Sequence, residues 1–213
     1  MKIDELLSWV GDLEWFDLAT IVQLSGERRA TILNQLSRFV DRKKVISLRR
    51  GMYTLAPAYR KSTIESAALA NALVRPSYLT EKWALSYYGL IPEAVPVFTS
   101  VTSRRPGMVE NDCGAFQYRH LKQDYFFGYT PLIISKHKVL VATPEKAMID
   151  LWYLAVGEWT PDRMNEMRFS IHVNLNRSLL ESYVHRMSKP RILRALDVWT
   201  AWLNEAQEGE VEL

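Results

Sequence analysis

Thr31, Asn34 and Arg38 recur at intervals of three and four residues, the spacing that places side chains on one face of a helix. Their shared chemistry is base recognition. An Asn amide can pair bidentately with adenine, an Arg guanidinium with guanine, and a Thr methyl can touch that of thymine. With Leu36 at the centre of the apolar stripe, Glu27, Asp41 and Arg42 fall on the same outward side, flanked by Arg28 and Gln35. Arg42-Lys43-Lys44 then leads into a short strand, Val45 to Leu48, a tight turn at Arg49-Arg50-Gly51, and a return strand, Met52 to Leu55. Gly51 supplies the positive φ that such turns favour. Arg49 and Arg50 at the tip would reach phosphate or a minor groove. The candidate DNA-binding set is therefore Arg28, Thr31, Asn34, Gln35, Arg38 and Arg42, with Lys43, Lys44, Arg49 and Arg50 behind them.

Charge follows the same outline. Residues 27–50 carry eight basic and two acidic side chains, net +6, against +3 for the whole chain. The remainder is therefore slightly acidic, and the positive charge is concentrated where a groove-binding helix would need it.

The elements that position this face are legible nearby. Ile3, Leu6, Leu7 and Val10 repeat at helical spacing and predict a first helix, with Trp15 and Phe16 closing a small core. Asp17 stands where an N-cap belongs, and Phe16 can staple onto Ile21 of a second helix that breaks at Leu24-Ser25-Gly26. The reading helix follows from about Glu27 to Asp41, its buried stripe drawn from Ile32, Leu33, Leu36, Phe39 and Val40. Helix, helix, helix and hairpin predict a winged helix-turn-helix over residues 1–57, and Ala56 to Lys61 reads as a linker.

A second unit is expected over residues 62–206, mixed α/β and ending in helices, so that the whole is α+β. Ser62-Thr63-Ile64-Glu65 has the form of a capping box before an alanine-rich helix. Thr80 caps a short helix that Gly89 and Pro92 end. From Val97 the period changes, and four strands are expected at Val97–Thr102, Ala115–Leu121, Leu132–Ile134 and Val139–Val141. Thr143-Pro144-Glu145 and Thr160-Pro161-Asp162 are helix starts, the first opening a stripe of Ala147, Met148, Leu151 and Leu154. Two more helices follow, marked by Leu180 and Val184 and by Ile192, Leu196 and Trp199. The acidic end, Gln207 to Leu213, is expected to fray.

Bond-making chemistry is hard to assemble from this sequence. The four histidines (His120, His137, His172, His185) lack metal-ligand spacing, and the single cysteine, Cys113, cannot form an intrachain disulfide. No glycine-rich phosphate loop and no Gly-x-Ser-x-Gly turn occur. A nuclease would need an acid followed by an acid-x-Lys on a neighbouring strand. Asp112 and Asp124 fall in the right region, but Glu145-Lys146 lacks the spacer and opens a helix. No cofactor is called for. A second basic set, Arg104, Arg105, Arg119, Lys122, Lys136 and Lys138, suits strand edges guarded against pairing, or an extended contact with DNA or an acidic partner. Without a signal peptide or a long apolar run, a cytoplasmic protein is expected.

Ser77-Tyr78-Leu79-Thr80 and Ala84-Leu85-Ser86-Tyr87-Tyr88-Gly89-Leu90-Ile91-Pro92 resemble the AbiEi family, antitoxins and transcriptional repressors of AbiE abortive-infection toxin–antitoxin systems. The likeness continues through Tyr125-Phe126-Phe127-Gly128, Ala142-Thr143-Pro144-Glu145-Lys146-Ala147 with Asp150, Met167-Arg168-Phe169 and Lys189-Pro190-Arg191. The resemblance implies a winged helix that represses its own operon at an inverted-repeat operator. It also implies a C-terminal domain that neutralises a cognate nucleotidyltransferase-like toxin, without requiring a stable complex. One departure is Gln23, which stands where many helix-turn-helix motifs place glycine, and which allows the reading helix to start a residue or two from the expected place. Two other readings compete: a metal-dependent nuclease carrying a DNA-binding module, and a repressor that senses a small ligand and has no toxin partner.

Overall fold

The computed structural model describes residues 1–170 and 175–211 of the chain, whose architecture is mixed α+β. His172 lies outside the described residues. The first elements are α1 (Ile3–Val10), β1 (Phe16–Asp17), α2 (Leu18–Ser25), α3 (Arg29–Asp41), β2 (Val45–Arg49) and β3 (Met52–Leu55). β1 and β2 both pair antiparallel with β3, giving a small sheet of order β1-β3-β2. Leu6, Val10, Ile21, Ile32, Leu36 and Leu55 are fully buried beneath it. Asp17 takes the N-cap position of α2 but its side chain makes no capping bond. α3 starts at Arg29, two residues later than expected, and Leu33 is exposed rather than part of the buried stripe.

The larger part contains α4 (Ser66–Leu73), β4 (Tyr78–Leu79), α5 (Glu81–Tyr87), β5 (Val97–Thr102), β6 (Gly107–Asn111), β7 (Gly114–His120), β8 (Tyr129–Ile134) and β9 (His137–Ala142). Four helices close it: α6 (Pro144–Leu154), α7 (Pro161–Met167), α8 (Arg177–Met187) and α9 (Pro190–Val211). The sheet order is β6-β7-β5-β4-β9-β8, with β5/β7 and β4/β9 parallel and the other pairs antiparallel. Neighbouring residues of β7 show what covers each face. The Tyr118 hydroxyl donates to the Ala70 carbonyl on α4, while Arg119 pairs with Glu81 on α5. Helices thus lie on both faces of the sheet.

Several expectations are corrected here. Ser62 does not open a capping box: Glu65 is itself the N-cap of α4 and accepts from the Ala67 amide at 3.3 Å. Thr80 sits at the N-cap of α5 but spends its hydroxyl on Asp150 instead of on the helix. Trp15 packs against the larger core, not the small one. β4 and β6 were not anticipated, and α9 continues to Val211, into the stretch expected to fray. Thr143 and Thr160, by contrast, accept from the Lys146 and Arg163 amides as helix starts should.

The hairpin joins the two parts. Val45, Tyr53 and Leu55 face the small core, whereas Leu48 and Met52 belong to the large one. The two faces follow from strand alternation, since Leu48 lies three residues from Val45 and Met52 one from Tyr53, while the break in register between Ser47 and Arg49 sets Arg49 opposite Met52. The Asn111 side-chain amide on β6 donates to the Leu48 carbonyl at 3.0 Å and holds the hairpin there.

Within the large core lies a dry polar network. Lys146 and Asp150, one turn apart on α6, form an ion pair with no exposed side-chain surface. The Lys146 ammonium also donates to the Tyr78 hydroxyl at 3.0 Å, and that hydroxyl donates to Asp150 at 3.0 Å. Thr80 donates to the same carboxylate oxygen at 2.8 Å. The ammonium also lies 5.1 Å from the centroid of the Phe127 ring, within cation–π reach. Gly128 follows at φ +71°, where a Cβ would come within 3.0 Å of both Lys146 and Tyr183. Burial, reinforced by Asp150, holds the Tyr78 hydroxyl well above its usual titration range.

Removing one member of this pair strands the other in a dry core. Lys146→Met should cost about 3–5 kcal/mol of unfolding free energy in urea titrations, and adding Asp150→Leu should restore much of it. A loss below about 1 kcal/mol for the single change would show that the network is not what holds α6 to β4.

Candidate nucleic-acid interface

α2 ends at Gly26, which adopts the left-handed conformation at φ +67°, and the chain turns through Glu27 and Arg28 into α3. Ile32, Leu36 and Phe39 anchor α3 to the small core. That anchoring turns Thr31, Asn34 and Arg38 to solvent, with Arg42 and Lys43 exposed just past the helix end and Arg28 exposed at its N-cap. These six residues form an exposed outward face, which no described residue of the larger part buries.

The other four members of the expected set behave differently. Gln35 is half-buried, and its amide donates to Glu27 at 3.0 Å, so it is committed within the protein and is withdrawn as a base reader. Lys44 is half-buried, with its ammonium 5.9 Å from the Tyr59 ring centroid. Arg50 stays exposed at the hairpin turn, which the Leu18 amide ties to α2 through the Gly51 carbonyl at 2.9 Å. Arg49 lines a cleft against the larger sheet together with Arg75, Arg104 and Arg105, so the two arginines do not act as one tip.

The second basic set also divides. Arg119 does not guard a strand edge: β7 is an inner strand, and this guanidinium pairs with Glu81 at 2.6 Å and donates to the Leu154 carbonyl. Lys136 and His137 approach Glu14 at 3.3 and 2.9 Å and tie the β8–β9 hairpin to the N-terminal part. Lys122 is exposed, while Arg104, Arg105 and Lys138 border the cleft.

The acids considered for metal chemistry are scattered. Asp112 is exposed in the β6–β7 turn and Asp124 in a 3-10 turn, Gln123–Tyr125. Glu145 is buried and accepts from the Asn176 amide at 2.9 Å, and Lys146 is enclosed as described. Among the described residues, no group of three or more His, Cys, Asp or Glu could hold a metal ion. Cys113 is half-buried, and burial raises its thiol above the usual value.

One polar site was missed in the sequence. Glu81 opens α5 at φ +51°, a left-handed conformation that costs about 1–2 kcal/mol in a residue with a side chain. It is 4% exposed, and its Oε1 has no hydrogen-bond partner among the described residues. Burial raises its carboxyl to about 7; Arg119 opposes this and Asp150 adds to it. Only the dipeptide Thr80-Glu81 at a helix start marked it, and that pattern reads as an ordinary solvated first turn.

The sign of its pH effect follows. A carboxyl that titrates higher in the folded than in the unfolded chain costs nothing below its unfolded value of 4.5, and destabilises progressively as pH rises to about 7. The full penalty is on the order of 3 kcal/mol. Glu81→Gln should therefore gain stability relative to the parent chain between about pH 5 and pH 8 in urea titrations. A difference that stays constant across this range would mean that Glu81 is ionised throughout.

No model of a known protein family matches this sequence, and no curated protein matches it.

Proposed function

We propose that residues 1–57 form a winged helix-turn-helix that binds duplex DNA, and that the chain is a transcriptional repressor with antitoxin activity in its second unit, residues 62–206. The observation that carries this reading is the exposed face of α3, where Thr31, Asn34 and Arg38 stand clear of both cores. The order α1-β1-α2-α3-β2-β3 and the sheet order β1-β3-β2 support it, because they are the arrangement in which a second helix presents its outer face and a hairpin flanks it. The charge distribution supports it as well, being dense here and slightly negative elsewhere.

The antitoxin half rests on the AbiEi-like segments. They support a shared scaffold first. Tyr78, Thr80, Phe127, Gly128, Lys146 and Asp150, which come from three separate segments carrying the resemblance, meet in one buried network. The partners on this reading are an inverted-repeat operator and a nucleotidyltransferase-like toxin.

Mobility shifts on the DNA upstream of the gene test the first half. Asn34→Ala or Arg38→Ala should each cost about 1–3 kcal/mol and relax preference at one base pair. Arg50→Ala should weaken binding to all sequences alike and flatten the salt dependence. Unchanged sequence preference after both α3 changes would remove α3 as the reader. Co-expression with the product of the adjacent open reading frame tests the second half: relief of growth arrest by the full chain is expected, and arrest that persists would dismiss the antitoxin role.

A further inference from the structure

Two adjoining cavities of about 620 and 430 Å³ lie where the N-terminal part meets the larger sheet, sharing walls from Trp15, Ala72, Arg75 and Arg104. They differ in chemistry. The first is the more apolar, with Trp15, Ala68, Ala72, Pro76 and Leu140 in its lining beside Lys138 and, at its edge with the second, Arg75 and Arg104, and with Trp15 beside His137 at 6.3 Å between ring centroids. The second gathers Arg49, Arg75, Arg104 and Arg105 around a single carboxylate, Asp17. Among the described residues, no salt bridge joins any of these four guanidiniums to a carboxylate.

Like charges that converge without partners are relieved by an anion, and guanidinium forks match phosphoryl oxygens bidentately. An apolar chamber with an aromatic wall accepts a planar ring. We infer that this cleft binds a nucleotide, its base against Trp15 in the apolar chamber and its phosphates among the four arginines. Duplex DNA supplies phosphates but no free base to enter the neighbouring chamber, so the concave, two-part shape favours a small ligand over a longer DNA footprint. The site draws Trp15 and Arg49 from the N-terminal part and Arg75, Arg104 and Arg105 from the larger one. Occupation therefore ties the two together. Any effect on DNA affinity rests on the reading of α3 as a DNA reader, whereas nucleotide binding does not.

Calorimetric titration of the full chain, without DNA, tests the inference with AMP, ADP, GMP and GDP, and with adenosine, guanosine and pyrophosphate as controls. At least one nucleotide should bind with a Kd of about 1–100 µM, and the nucleosides and pyrophosphate at least about tenfold more weakly. Arg104→Ala with Arg105→Ala, both on the exposed rim, should weaken that binding about tenfold or more, and Arg38→Ala should leave it unchanged. The inference is overturned if no nucleotide binds at about 1 mM, or if pyrophosphate binds as tightly as the nucleotides. It is overturned too if the paired rim change lowers DNA affinity in a chain that binds no nucleotide, which would make the cleft part of the DNA footprint. Nucleotide binding by a chain that does not bind DNA would uphold the site and dismiss the repressor.

Discussion

A lysine ammonium taken wholly out of water is tolerable only when its hydrogens find acceptors, and Lys146 draws those acceptors from separate stretches of chain. Asp150 comes from its own helix, Tyr78 from β4, and the Phe127 ring from the segment ahead of β8. The consequence for topology is large. β4 is two residues long and meets β9 through the single register pair Leu79–Val141, too little ladder to place a central strand by itself. The polar contacts from Tyr78 and Thr80 to α6 supply what the ladder lacks. Residues scattered from 78 to 150 thus form one tie, and the space around it is tight: a side chain on Gly128 would press on Lys146.

With the large sheet fixed, the hairpin decides how the N-terminal part sits on it. A regular hairpin turns one face inward and leaves the other to water. Here the alternation that turns Val45 and Leu55 to the first core turns Leu48 and Met52 to the other face, where the second core receives them. Both faces of a short ribbon are therefore spent on packing, and Glu14, with Lys136 and His137, adds a second tether on the far side. The break in register beyond Ser47 sets Arg49 opposite Met52, and both line the cleft, whereas Arg50 is exposed at the turn.

The sequence made the local parts plain and the long-range ones obscure. Thr143-Pro144-Glu145 and Thr160-Pro161-Asp162 announced helices because a cap acts within four residues, and β5 was read with its observed bounds from its β-branched run. β6 escaped because Gly107-Met108-Val109-Glu110-Asn111 is an edge strand, mostly exposed, with too few apolar residues to show a period. Ser62 misled because Glu65, three residues on, fits a capping box, yet Glu65 turns out to be the cap and to accept from the Ser135 hydroxyl at 2.7 Å. In the candidate interface, Thr31, Asn34 and Arg38 were legible from helical geometry alone. Gln35 was not, since its partner Glu27 becomes a neighbour only when α3 begins at Arg29 and leaves Glu27 in the turn. The cleft was invisible: Arg49, Arg75 and Arg104 are far apart in sequence and meet only through the docked hairpin.

Counting cations along the chain treats them as one population, but solvation sorts them into three. Lys146 is buried and Arg119 half-buried, both are paired, and their charge is consumed in holding helices to the sheet. Lys61 and Lys136 pair in the open, where water and salt leave them little energetic weight. Among the described residues, the exposed cations of α3 and the arginines of the cleft form no salt bridge with a carboxylate, and net charge cannot tell these two groups apart. Shape can. Cations on a projecting helix can follow a polyanion into its groove, whereas cations lining a hollow are reached only by an anion small enough to enter. The two groups approach each other at the hairpin turn, where Arg49 lines the hollow and Arg50 stands exposed beside it.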